Sequence, residues 1–283
     1  MESRMHPVPA FFLDNAKDMM RLGLTFPFRY VKMLLSDPYY VSVRGAGPIC
    51  IRKKSNDLWV TRQVFRTRQY ELGHFPQADR ISKRYRQILE SGKIPLIIDA
   101  GANNGCSALW FAKKFPQSKV VAIEPDPENC EMARINTKAN PSITVIEAAV
   151  GGAPGSVTLA NPFQETWGIQ TRRGGTGKKV EICTINDIIA SCGPECELFL
   201  AKIDIEGFET DVFSANTEWL SKAMVVIVEL HDWMLPGQFS SLAFQRAIAQ
   251  HKFEIMISIE NLIYIGDFDP ALINAQLQTA DAK

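Results

Sequence analysis

The chain has 283 residues, 46% hydrophobic and 22% charged, enough to bury a full core and too apolar for a disordered chain. The 31 Lys+Arg balance 31 Asp+Glu, which argues against a dedicated nucleic-acid binder. There is no apolar run of roughly 18 residues, and Asp14 and Lys17 follow Phe11 and Phe12 too closely for a signal peptide. The expectation is a cytoplasmic protein with no transmembrane segment.

The charge is unevenly placed. Met1–Gly92 carries 16 Lys+Arg against 8 Asp+Glu, and the remainder is acidic by the same margin. This reads as a basic N-terminal layer (1–92) packed on an acidic main domain (93–283). The six cysteines, at 50, 106, 130, 183, 192 and 196, are scattered and predicted to be reduced thiols. "SCGPEC" has a C-x-x-x-C spacing with no second pair, a weak zinc half-site. The stretch 19–35 is basic and apolar and suits peripheral membrane contact. Pro27 interrupts it, and docking on its own domain is the simpler expectation.

In chain order, "YYVSVRG", "PICIRKK" and "LWVTRQVF" read as short strands, with "GAG" (45–47) as the first turn. Residues 76–92 place Ile81, Tyr85 and Ile88–Leu89 at helical spacing, with Gly92 to end the helix. Strands are then predicted at 95–99, 119–124 and 143–147, with helices at 105–115 and 127–139 between them. Apolar runs at 198–205 and 224–230 follow, and 253–259 with 262–268 form a terminal antiparallel pair. The Gly-rich stretch 151–180 reads as a hairpin excursion with a mobile tip, where Trp167, Gln170 and Arg172 are candidates for acceptor contacts. This alternation specifies an α/β, doubly wound, mainly parallel sheet.

Ligands of such sheets bind outside the carboxyl ends of the strands. Asp99 ends the first main strand. Gly101 and Gly105 in "GANNG" permit close backbone approach and a tight entry into a helix N-terminus. Glu124 ends the next strand, at the distance where a carboxylate takes ribose hydroxyls and repels a 2′-phosphate. Glu147 and Ala148, at the end of the third, would border an adenine edge.

The succession "IIDAGANNG", "VVAIEPDPEN", "VIEAAVGG", "TIND", "LAKIDIEGFE" and "VVIVELH" resembles the FkbM-type family of S-adenosylmethionine-dependent methyltransferases, over roughly Ile97–His231. The lead "RGAGPICIRKKSNDLWVTRQVFRTRQYE" is similar to the segment preceding the domain in that family. The resemblance implies a class I methyltransferase fold, Rossmann-like, with a seven-stranded, mainly parallel sheet and an antiparallel terminal hairpin. It implies S-adenosylmethionine as cofactor and a hydroxyl of a small molecule, sugar or glycan as acceptor. Carried over, Asp99, Gly101 and Asn103 lie along the methionine part of the cofactor, Glu124 holds the ribose, Asp126 and Asn129 lie near the adenosine, and Glu147 and Ala148 border the adenine. At "TIND" the family more often has an acid where Asn186 stands.

Methyl transfer from a sulfonium is an in-line displacement in which alignment supplies much of the rate, while an alcohol acceptor must also lose a proton. Asp204 ends the fourth strand, with Glu206 and Glu209 beyond it. Glu229, His231 and Asp232 end the fifth, about 4.8 Å away if the strands are neighbours. Three readings stay open. His231 or Asp204, beside Glu229, is a general base. Alternatively, Asp204, Glu229 and His231 hold Mg²⁺. Or Glu206 and Glu209 cap the next helix and Glu229 bonds backbone or Lys202. Lys202 is expected to pair with an acid in the cleft. Trp233 and Phe239 either wall the acceptor or pack in the core. Other classes also stay open: a Rossmann-type NAD-dependent oxidoreductase, which would normally show a third glycine and a catalytic Tyr–Lys or His partner, or a non-catalytic cofactor-binding module. A homo-oligomer is compatible with all of these.

Overall fold

The computed structural model describes residues 8–160, 170–173 and 178–267. The N-terminal layer comes first. Helices α1 (Val8–Leu22) and α2 (Arg29–Leu35) lead into the hairpin of β1 (Tyr39–Val43) and β2 (Gly47–Ile51). Gly45 and Gly47 hold the left-handed φ values (+79° and +83°) that its turn requires.

The next segment corrects the sequence reading. "LWVTRQVF" is not a strand. It forms α3 (Asp57–Arg62), which runs on through a π-turn at Gln63–Thr67. Its buried residues are Asp57, Thr61, Val64 and Phe65, a helical spacing that outweighs the β-propensity of Val, Thr and Phe. Asp57 anchors the start, taking the Nε and Nη2 of Arg52 at 2.9 and 2.7 Å. Helix α4 (Ala78–Glu90) falls where expected.

The main unit then alternates β3 (Ile94–Ala100), α5 (Cys106–Lys114), β4 (Lys119–Glu124), α6 (Pro127–Thr137) and β5 (Ile143–Glu147). The excursion is a small sheet of its own. It joins β6 (Ala149–Val150), β7 (Gly155–Ala160), β8 (Gln170–Arg173) and β9 (Lys179–Cys183) in the order β6-β9-β7-β8. Its tip, with Trp167, lies outside the described residues, as do the side chains of Gln170 and Arg172. After α7 (Ile185–Ser191) come β10 (Cys196–Ile203), α8 (Glu209–Ser214), β11 (Val225–Glu229), α9 (Leu242–Ile248) and the closing hairpin β12 (Phe253–Ser258)–β13 (Asn261–Gly266).

The large sheet has seven strands in the order β12-β13-β11-β10-β3-β4-β5. From β11 to β5 all pairs are parallel, while β13 is antiparallel to β11 and to β12. This is the class I arrangement that the resemblance implied. Both faces are covered, so β3 is buried along nearly its whole length. Ile97 joins the core beneath α4 and α5, and Leu96, Ile98 and Ala100 join that beneath α7, α8 and α9.

The N-terminal layer shares the first of these cores: Leu22, Phe26, Ile49 and Phe65 pack in the same cluster as Ile97 and Phe199. Basic side chains of the layer meet acids of the main unit, with Arg80 3.1 Å from Glu254 and Arg84 paired to Glu197. "TIND" has a structural role. Thr184 and Asp187 form a reciprocal capping box on α7, and Asn186 donates to the Asn216 carbonyl at 3.0 Å. All six cysteines are free, and most are buried. Among the described residues, no helix is long and apolar enough to cross a membrane.

Candidate active site

A cavity of about 300 Å³ opens at the carboxyl ends of β3, β4, β10 and β11. One side is the turn after β3. Gly101 holds φ +78°, and a Cβ there would collide with the Asp204 carbonyl, so only glycine lets the two turns approach. Asn103 also sits at positive φ (+49°). Gly105 lets α5 pack on α6, since a Cβ would lie 3.1 Å from the Ala133 Cα.

Glu124 ties this turn to the next strand. Its Oε2 accepts from the Asn103 N–H at 2.8 Å and its Oε1 from the Asp126 N–H at 3.0 Å. Each oxygen keeps a lone pair for a ligand hydroxyl. Burial pushes the carboxyl up to about 7, against the pull of those two N–H groups. Asn103 lines the cavity, and its buried Oδ1 has no hydrogen-bond partner. An orphaned acceptor in the turn after β3 and a doubly anchored carboxylate at the end of β4 fit a ligand with an amino group and a ribose. Ala148, Ala149 and Val150 supply an apolar wall at the end of the third strand. Asp126, by contrast, caps α6 by accepting from the Asn129 N–H at 2.9 Å, while Asn129 itself lines the cavity. Glu147 is turned toward Arg134 and Lys178, each 3.7 Å away, and with Gly105 and Asp126 it does not line the cavity.

The opposite side gathers Asp204, Glu206, Glu229 and His231. Glu206 at φ +53° and Gly207 at φ +94° turn the chain sharply from β10 into α8. That turn leaves Glu209 fully buried, its Oε1 2.8 Å from His231 Nδ1. The ring is thereby oriented. Its Nε2 faces Glu229 at 3.5 Å and Asp204 and Glu206 at 3.7 Å each. Burial alone would lower the His231 pKa, but hydrogen bonds to Glu209 and Glu229 overcome it and raise it to about 11. Burial and the charge of Asp204 push Glu229 up to about 7 and Glu206 up to about 8. Among the described residues, ligand atoms of Asp204, Glu206 and His231 converge within 4.8 Å of one another. Glu229 is not in that set, and neither are Cys192 and Cys196.

Lys202 joins the two sides. It is buried, lies 3.2 Å from Asp99 and 3.4 Å from Asp204, and donates to the Gly101 carbonyl at 2.8 Å. Burial works against its charge, but Tyr70, Asp99 and Asp204 hold its pKa well above the ordinary lysine value.

The cavity also has a wall absent from the sequence reading. Asn56, Trp59, Gln63, Gln69 and Tyr70 of the N-terminal layer line it, and Glu260 reaches it from the β12–β13 turn. Gln63 Nε2 closes onto Glu260 Oε1 at 2.7 Å. The helical spacing of 57–65 was the one available signal for this wall. Trp233 lines the cavity and is 65% exposed, whereas Phe239 is exposed and does not line it.

Three relatives carry related sequence. Methyltransferase sdnD of Sordaria araneosa is 28% identical over 44% of this chain and 61% of its own length. The 2-O-methyltransferase NoeI of Sinorhizobium fredii is 24% identical over 53% of this chain and 70% of its own. The hexuronic acid methyltransferase AglP of Haloferax volcanii is 27% identical over 56% of this chain and 65% of its own. The match thus covers 61% to 70% of the length of these three relatives. The family model described as the methyltransferase FkbM domain matches residues 99–259, more than half of the chain, which therefore belongs to the FkbM family of methyltransferases.

Proposed function

We propose that the chain transfers the methyl group of S-adenosylmethionine to a hydroxyl oxygen of a small molecule or glycan. One observation carries the reading: a single cavity has the Gly101–Asn103 turn and Glu124 on one side, and a cluster of acids around an oriented imidazole on the other. Two of the relatives described above are a 2-O-methyltransferase and a hexuronic acid methyltransferase, which supports an oxygen acceptor. When bound, the cofactor supplies an already activated methyl group.

The protein's residues then have three tasks. Glu124 takes the ribose hydroxyls and Asn103 Oδ1 an amino group. The N-terminal wall and Trp233 hold the acceptor and exclude water. Asp204 or Glu229 accepts the acceptor's proton. His231 keeps its own proton at neutral pH, so it acts as a buried cation that positions those carboxylates. A second reading rests on the convergence of Asp204, Glu206 and His231, which would suit a divalent cation that binds the acceptor oxygen.

Calorimetric titration with S-adenosylhomocysteine and, separately, NADH tests the cofactor. Micromolar binding of the former alone, lost in Glu124→Ala, is expected. No binding to folded protein defeats the reading. Heat from Mg²⁺ or Mn²⁺ that vanishes in Asp204→Asn would favour the cation, and its absence the carboxylate base.

A further inference from the structure

The outer face of the N-terminal layer plays no part in the site described above. Met20, Leu24, Phe28, Val31, Leu34 and Leu35 are each 55% to 80% exposed within sixteen consecutive residues. Lys17, Arg21 and Lys32 are exposed on the same stretch. Arg44 reaches it from the β1–β2 turn, donating to the Met20 carbonyl at 3.3 Å. Between residues 15 and 36 the one acid is Asp18, and it is fully buried against Arg29, Arg62 and Arg66. Asp37, just past α2, is exposed at the edge of the stretch and accepts from the Lys53 N–H at 3.1 Å, so the face combines a large apolar area with an excess of cations.

That combination selects the partner. A second copy in a two-fold contact would bring two positively charged faces together, with Lys17, Arg21, Lys32 and Arg44 on each. An anionic lipid surface offers the opposite charge and an apolar interior below it. We propose that this face docks on an anionic bilayer, with Leu24, Phe28, Leu34 and Leu35 entering the headgroup boundary and the four cations among the headgroups. Asp18 pins the face to Arg62 and Arg66, at the end of α3 and in the π-turn, so the docked chain holds the cavity wall at a fixed position over the membrane. The inference does not depend on methyl transfer.

The test is sedimentation of the full chain with vesicles of phosphatidylglycerol and phosphatidylcholine, against phosphatidylcholine alone. Binding to the anionic vesicles only, weakened by salt, is expected. Leu34→Glu/Leu35→Glu alters two side chains that are 80% exposed, so the fold should survive, as circular dichroism will check. This variant should bind at least about tenfold more weakly. Equal binding to neutral vesicles, no binding to either, or full retention in the variant overturns the proposal. So does a wild-type dimer on size-exclusion chromatography that the variant converts to monomer, which would make the face a contact between copies.

Discussion

Lys202 stands directly across from Asp99 in the β10–β3 ladder. The pairing depends on one extra residue. Leu198 faces Leu96 but Leu200 faces Ile97, so Phe199 forms a bulge. Without it Lys202 would face Ala100 and point to the other side of the sheet. The bulge thus puts a buried ammonium between the turn after β3 and the turn after β10, the two sides of the cavity.

Lys202→Met leaves Asp99 buried with the Ser107 hydroxyl, 2.6 Å away, as its remaining donor. The expected loss is about 3–5 kcal/mol in urea unfolding. Asp99→Asn should cost less, because Lys202 keeps Asp204 and the Gly101 carbonyl. Equal losses would mean that the pair does not act through Lys202.

Gly101→Ala tests the close approach. Its Cβ would collide with the Asp204 backbone, and the position already requires positive φ. The strain is of order 1–3 kcal/mol before any backbone shift. S-adenosylhomocysteine binding should fall at least about tenfold, and Asp204 amide exchange should rise. An unchanged affinity would place the cofactor elsewhere.

The sheet was legible because strands buried on both faces leave continuous apolar runs, and β3, β4, β10 and β11 do so to within two residues. The strand-end acids were legible for the same reason: strand termini fix which residues face the cleft. The cavity wall was not. "LWVTRQVF" reads as strand by composition, and its helix is settled by Asp57 burying against Arg52, a contact that local propensity does not encode. The partner of Lys202 was equally hidden, since no pattern in "ELFLAKI" announces the bulge at Phe199. Glu147 shows the opposite failure: a correctly placed strand end whose side chain turns to Arg134 and Lys178.

Glu124 gives a pH dependence of known sign. Burial raises its pKa from 4.5 to about 7 in the folded chain. The unfolded chain releases that proton first, so the free protein loses stability as pH rises through this window. The loss is of order 3 kcal/mol by pH 8. Between pH 5 and 8 the wild-type Tm should therefore fall more than that of Glu124→Gln. The ionised form is the better ribose acceptor, so wild-type affinity for S-adenosylhomocysteine should drop several-fold from pH 8 to 6, while the variant's stays flat. Parallel Tm curves would defeat the assignment.

Asp18 is the joint between helices α1 and α2 and the cavity wall, with Arg29, Arg62 and Arg66 at 3.1, 2.6 and 3.1 Å. Asp18→Ala removes the shared counter-ion of three arginines, one of them buried, and should cost about 3–5 kcal/mol. Proteolysis should then begin between residues 23 and 38 while the sheet stays protected. Cleavage spread evenly along the chain would mean that the layer and the sheet unfold as one unit.

Glu209 lies one step behind the acid cluster. It is fully buried, and its Oε1 accepts from His231 Nδ1 and, at 3.2 Å, from the Gly207 N–H. It therefore fixes both the imidazole and the turn that carries Glu206. Glu209→Gln keeps the shape but weakens the hold on the ring's charge. The expected result is a drop in methyl transfer of about 10- to 100-fold with S-adenosylhomocysteine affinity unchanged, because Glu209 bonds to His231 and the Gly207 N–H on the acid-cluster side of the cavity. His231→Gln should give a similar loss, and the double variant little more than either single one, since the two act as a unit. Additive losses would separate them and leave Glu209 as packing.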